Sequence, residues 1–317
     1  MLKLLCCELA KLRRRPLFFA AAASSGLIPL GCALFLPEFH TFSSGAEAVD
    51  SMMSALFQMS ACLLLMPALV VLASSLFFTE HDQDTLKNIL TIPVSKPALA
   101  MAKLILLLLF AIAFMAAGGL INLGILLASG WTPDGFGRLF LVGLGLGILI
   151  WAGALPCILL AAALSRSYII SVITAFFYTA VNYILSMNDH FLTQPFGLNA
   201  GTLFPGPMAF RWYYQYLDLT SPQLTGLLER IGPYFLNTAQ TFLAAGAEAV
   251  GFLILFALGF QAFLIMICVG IYAVLVQDIS VEDDVSTALW TCIGYTVLLC
   301  FTLFKTGSVA KSIFNAH

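Results

Sequence analysis

The sequence predicts an all-α, polytopic integral membrane protein, and two observations carry that prediction. Of 317 residues, 61% are hydrophobic and only 9% charged, whereas a soluble domain carries roughly 25% charged residues. So few charges cannot cover a water-exposed globule of this size. The apolar residues are also gathered into runs of the ~20-residue length that a helix needs to cross a ~30 Å hydrocarbon layer. That much apolar surface excludes disorder. A net charge of −2 excludes the basic surface that nucleic-acid binding requires.

The chain opens on Leu2, Leu5, Leu9 and Leu12 at helical spacing, interleaved with Lys3, Glu8, Lys11 and Arg13–Arg15. Residues 1–16 therefore read as an amphipathic helix lying on the membrane surface, with purely topogenic charges as the alternative. Apolar runs follow at 17–36, 52–78, 101–128, 136–164, 168–186, 249–276 and 286–304. Pro29, Pro67 and Pro156 fall inside runs and are kink candidates. Ala46-Glu47-Ala48 resembles a signal-peptide cleavage site, but it lies well beyond the first run, which is too long for a signal core, so that run is read as a retained span.

The basic residues orient the spans. Lys3, Lys11 and Arg13–Arg15 precede the first run, Lys87, Lys96 and Lys103 lie in and beside the 79–100 loop, and Arg166 lies in the 165–167 turn; loops 37–51 and 129–135 hold no Lys or Arg. By the positive-inside rule the N-terminus is cytoplasmic and the long 187–248 segment is outside. The end of the chain fits less well, because the last run would leave Lys305 and Lys311 outside and an acidic Asp278–Asp284 turn inside. Either that run is a seventh span, or an extra crossing or re-entrant turn lies between 187 and 276.

The 79–100 loop has internal order. Asp84 can cap a short helix that Pro93 ends, with Leu86, Ile89 and Leu90 on one face and Lys87 and Asn88 elsewhere. Ser95 can cap the next helix with Pro97 in its first turn. A short two-faced cytoplasmic helix of this kind is suited to receive force from a partner; a solvated loop is the bland alternative. In the 187–248 segment, Arg211-Trp212-Tyr213-Tyr214-Gln215-Tyr216 has the composition of an interfacial aromatic belt. Ser221-Pro222 opens a helix with Leu224, Leu227, Leu228 and Ile231 on one face, stopped by Gly232-Pro233. The segment reads as half-buried surface helices forming a lid over a pathway, or as an ordinary outer loop.

Catalytic and metal-binding patterns are missing from the sequence. It contains no G-x-x-x-x-G-K-[ST], G-x-S-x-G or H-E-x-x-H, and its four histidines are scattered; no metal site is predicted. Cys32, Cys62, Cys157, Cys268, Cys292 and Cys300 lie in apolar runs and read as small hydrophobes. Gly143, Gly145 and Gly147 read as points of close helix approach. No Asp or Glu falls in the middle of a run, which disfavours an ion-coupled carrier. Gln58, Asn122, Asn182 and Gln261 are the polar candidates for a substrate pathway, with helix–helix bonding as the competing role.

These residues together resemble a known family. The basic amphipathic N-terminus, six spans, a longer loop between the fifth and sixth, and Glu80, Thr85, Lys87, Pro93, Ser95 and Lys103 in the loop after the second are similar to the permeases of type-2 ABC exporters, in particular the lantibiotic-immunity and bacitracin-resistance group. The layout extends over about residues 1–280, and the motif over 80–103. The resemblance implies a six-span permease domain at 17–280, with the N-terminal helix at 1–16 and an acidic turn, extra apolar helix and tail at 281–317. It implies that Glu80, Asp82, Asp84, Thr85, Leu86, Lys87, Ile89, Leu90, Pro93 and Ser95 couple the chain to a dimeric cytoplasmic ABC ATPase. ATP and Mg would be held by that partner, with no cofactor in this chain. A second permease copy or a related permease, a lipid surround, a bacterial cytoplasmic membrane and an amphiphilic substrate such as a peptide antibiotic complete the expectation. A secondary carrier or channel, and a non-transporting assembly factor, remain the alternatives.

Overall fold

The computed structural model describes residues 2–12, 16–35, 42, 44–82, 96–163, 168–217, 226, 229–258, 269, 272 and 293–297. Every regular element among them is helical. Among the described residues, five helices are long and apolar enough to cross a membrane: Pro16–Phe35, Gly45–Phe77, Ala98–Ala128, Phe136–Leu160 and Ile169–Ser186. The protein is thus an all-α multi-pass membrane protein, as its composition requires. The chain divides into two compact units, Met1–Gly246 and Ala247–His317. In the second, the Tyr272 and Thr296 hydroxyls lie 2.9 Å apart.

Helix α1, Leu2–Leu12, packs on the long helix α6, Lys96–Ala128. Its orientation departs from a simple amphipathic reading: Glu8 is 2% exposed and Leu9 47%. The exposed face carries Leu9 together with Lys11. The protein side takes Glu8, neutralised by Lys11 Nζ at 2.5 Å.

The first span comprises α2 (Pro16–Ala23), a 3₁₀ turn (Ser24–Gly26) and α3 (Leu27–Phe35). Pro29 has no N–H for the carbonyl of Ser25, and the turn before it tightens. The second span starts at α4 (Gly45–Ala55), seven residues before the predicted run. Ser44 is its N-cap, accepting from Glu47 N at 3.2 Å, half of a capping box spelled Ser-x-x-Glu. The Ala46-Glu47-Ala48 triplet therefore lies in a helix, with Ala48 fully buried. After α4 comes a ten-residue π-helix, Leu56–Leu65, and then α5, Met66–Asp82. Most π-helix is single-turn; here Pro67 clashes with the turn before it and the wider winding extends up the chain.

Helix α6, α7 (Phe136–Ala163) and α8 (Tyr168–Ser186) are the remaining long helices of the first unit. The core sits where α5, the π-helix, α6, α7 and α8 meet. Short helices α9 (Asp189–Leu192), α10 (Ala200–Leu203) and α11 (Pro205–Tyr213) follow, and then α12 (Thr238–Leu258). Helix α12 begins eleven residues before its predicted run. A reciprocal pair explains the start: Gln240 N donates 2.8 Å to Asn237 Oδ1, and Asn237 N donates 3.1 Å to Gln240 Oε1.

Candidate functional site

Helix α11 is the element that does not fit a lid on the surface. All nine of its residues are buried, and it packs against α7 and α8. A Cβ on Gly153 of α7 would overlap the Pro205 ring. Gly153 lies ten residues from the end of α7, about 15 Å at 1.5 Å per residue. On α8, Asn182 O would meet a Cβ on Gly206 at 2.5 Å, and Asn182 lies about 21 Å along that helix. The first turn of α11 is therefore enclosed between the middle of α7 and the last turns of α8.

A helix start enclosed in this way needs every backbone donor satisfied. The sequence solves this locally. Pro205 and Pro207 have no N–H, Gly206 N donates to Asn182 Oδ1 at 3.1 Å, and Met208 N donates to Phe204 O at 3.2 Å. At the other end, Gln58 Nε2 on the π-helix donates 2.8 Å to Tyr214 Oη and 3.2 Å to Ser54 Oγ. Between the two ends lie aromatic rings: Phe57–Tyr213 at 5.2 Å, Phe210–Tyr213 at 5.2 Å and a stacked Tyr213–Tyr214 pair at 5.0 Å.

Two of the four predicted pathway residues, Gln58 and Asn182, thus meet α11 from opposite ends. Asn122 is elsewhere; fully buried, it donates 3.1 Å to Met52 O and joins α6 to α4. Gln261 lies outside the described residues. So do Asp84, Thr85, Leu86, Lys87, Ile89, Leu90, Pro93 and Ser95, together with Leu224, Leu227 and Leu228; Glu80 and Asp82 fall in the last turn of α5.

The predicted aromatic belt takes a different place. Trp212, Tyr213 and Tyr214 are 3%, 0% and 4% exposed, packed in protein instead of at the lipid surface. Two of the three polar atoms find protein partners: Trp212 Nε1 donates 3.2 Å to Thr238 Oγ1, and Tyr214 Oη accepts from Gln58, whereas the buried Tyr213 hydroxyl has none among the described residues.

Sequence reasoning missed Arg211, which is 1% exposed. Its Nε donates 2.9 Å to Tyr234 O and its Nη1 3.2 Å to Gly201 O. Leu236 N returns a bond to Arg211 O at 3.2 Å. One side chain therefore joins α10, α11 and the Gly232–Tyr234 turn. A lone Arg inside an aromatic run, in a chain this poor in charge, was the available clue.

The assembly is a helical membrane bundle with a short helix inserted among its spans. A family model described as ABC-2 family transporter protein matches residues 4–182, more than half of the chain. The chain belongs to the ABC-2 transporter family. This ABC permease is also 27% identical, over 176 residues, to the bacitracin transport permease protein BCRB of Bacillus licheniformis; the match covers 52% of this chain and 81% of the relative. No solved structure matches it. As an ABC-2 permease it is a membrane transport subunit, a family that works with an ABC ATPase. The family match ends at Asn182, so α9–α11 lie beyond it.

Proposed function

We propose that this permease is the membrane subunit of an ATP-driven exporter in a bacterial cytoplasmic membrane, and that it expels an amphiphilic substrate such as a lantibiotic-like or bacitracin-like peptide. The N-terminus is cytoplasmic in this reading, because the basic residues alternate between loops in that sense. A separate dimeric ATPase, which holds the ATP and Mg, docks on residues 80–95 through Glu80, Asp82, Asp84, Thr85, Leu86, Lys87, Ile89, Leu90, Pro93 and Ser95. A second permease copy, or a related permease, completes the pathway.

The observation that carries this reading is the mode of attachment of α11. It fills the space between the π-helix, α7 and α8 and is hydrogen-bonded to the spans from Gln58 at one end and Asn182 at the other. Gln58 belongs to the span that continues through α5 to the 83–95 region. A push there displaces Gln58, releases Tyr214 and opens the aromatic-lined space. An apolar, aromatic path suits an amphiphile better than a hydrated ion.

The test is bacitracin tolerance in a sensitive bacterium expressing the permease together with an ABC ATPase that co-purifies with it. Tolerance should rise, and should be lost in Leu86→Asp, Glu80→Lys and Asp84→Lys with membrane insertion intact. Tolerance unchanged by all three substitutions would remove the docking assignment. Failure of the wild-type pair with bacitracin and with lantibiotics alike would remove the substrate class.

A further inference from the structure

The two helices that border residues 83–95 are joined by a buried cation. Lys103 on α6 is 1% exposed. Its Nζ donates 3.0 Å to Leu76 O on α5 and stands 4.6 Å over the ring of Phe77. A topogenic lysine works by reaching water along its apolar stem. Lys103 does not: its head is turned into the seam between two spans. The contact lies about 10 Å from the start of α6 and about 9 Å from the end of α5. Both helices therefore leave the clamp toward the same loop. Beyond the clamp, α5 leads into the π-helix and Gln58, while α6 also packs against α1.

A carbonyl acceptor and an aromatic face together fix this ammonium in both position and direction. The carbonyl sets the depth of the contact along α5, and the ring closes the side facing away from it. The pair resists sliding of α5 past α6 where apolar packing alone would allow it.

We propose that Lys103 is the positioning residue that makes α5 and α6 move as one body when the 80–95 region is pushed, so that the displacement reaches Gln58 and α11. Without it, each helix yields separately, and ATP is hydrolysed without transport. The proposal rests on the exporter reading above.

The experiment uses the full chain co-purified with its ATPase and reconstituted in lipid vesicles, with bacitracin as the probe. Lys103→Met keeps the length and the apolar stem but removes charge and donor. It should retain the ATPase and its hydrolysis within about twofold, while bacitracin moved per ATP falls about tenfold. Lys103→Arg should recover most of that ratio, because a guanidinium also donates to a carbonyl and sits over a ring. Phe77→Leu, which leaves the carbonyl contact in place, should fall between them. A Met variant with the wild-type ratio would overturn the proposal. So would a Met variant that loses the ATPase together with an Arg variant that fails to restore it, since Lys103 would then serve folding alone. A wild-type complex that neither hydrolyses ATP nor moves bacitracin would instead overturn the exporter reading, and that result is visible before any variant is compared.

Discussion

Two seams run along α7, both opened by glycine, and they hold their partners differently. On the α6 side, a Cβ at Gly147 would lie 3.0 Å from Ala111 O, and Trp151 Nε1 donates 3.1 Å to Leu104 O. Those contacts are spread along two long helices that cover each other's apolar surface. On the α11 side, a Cβ at Gly145 would lie 2.7 Å from Trp212 Cη2, and Gly153 makes room for Pro205. The hydrogen bonds from the long spans to this short helix come from Gln58 and Asn182 at its ends, while Arg211 and Trp212 bond it to α10, the Gly232–Tyr234 turn and Thr238. A distributed seam loses little when one contact goes. A helix bonded at its ends is released by moving whichever span carries an end. The first seam is suited to permanence and the second to switching.

The largest effect should separate the two seams. Gly153→Leu places a side chain where the Pro205 ring lies and should cost about 3 kcal/mol, read as a lower melting temperature in detergent, with transport abolished. Gly147→Leu should cost a similar amount of stability, yet the molecules that fold should still transport. Equal transport defects per folded molecule in the two variants would break the distinction.

Next in size is Arg211→Met. It strips hydrogen bonds from one buried and one part-buried carbonyl and should cost about 2 kcal/mol. Hydrogen exchange should rise across α10, α11 and the Gly232–Tyr234 turn together; a rise confined to α11 would show that Arg211 does not bind the three segments.

Gln58→Leu should cost only about 1 kcal/mol of stability but change transport strongly, because it removes the bond from the π-helix to α11. Tyr214→Phe should reproduce the change, and the double variant should add little to either, as a double-mutant cycle reads it. Additive effects would place the two residues in separate roles.

The smallest effect belongs to a cap. Asn237→Ala should cost about 1 kcal/mol or less, with faster exchange in the first turn of α12 and unchanged transport per folded molecule.

Much of the fold was legible because lipid forces it. The runs at 101–128, 136–164 and 168–186 lie within a few residues of the helices found, since a span must be both apolar and internally bonded. The span starts at Gly45 and Thr238 were harder to read, although Ser44–Glu47 and Asn237–Gln240 spell them. Both helices begin in a polar stretch where hydropathy is silent and only capping chemistry speaks. Gln58 and Asn182 stood out as polar residues within apolar runs. Asn122 stood out equally and joins α6 to α4 instead, because residue type at a given depth does not tell which neighbour a side chain will meet. Lys103 and Arg211 were read by charge and by company, as a topogenic lysine and a member of a belt, whereas each is buried against backbone carbonyls of a distant segment.

The sequence by itself determined that this is a helical protein of the bilayer and where its long helices run. Those properties follow from composition and period, which are local. Only the tertiary structure decided that α11 enters the bundle, that its ends are bonded to Gln58 and Asn182, and that Lys103 joins two spans. Each of these depends on a meeting between residues far apart in the chain. Burial makes such meetings selective, since a polar group at that depth is stable only where its partner is also present.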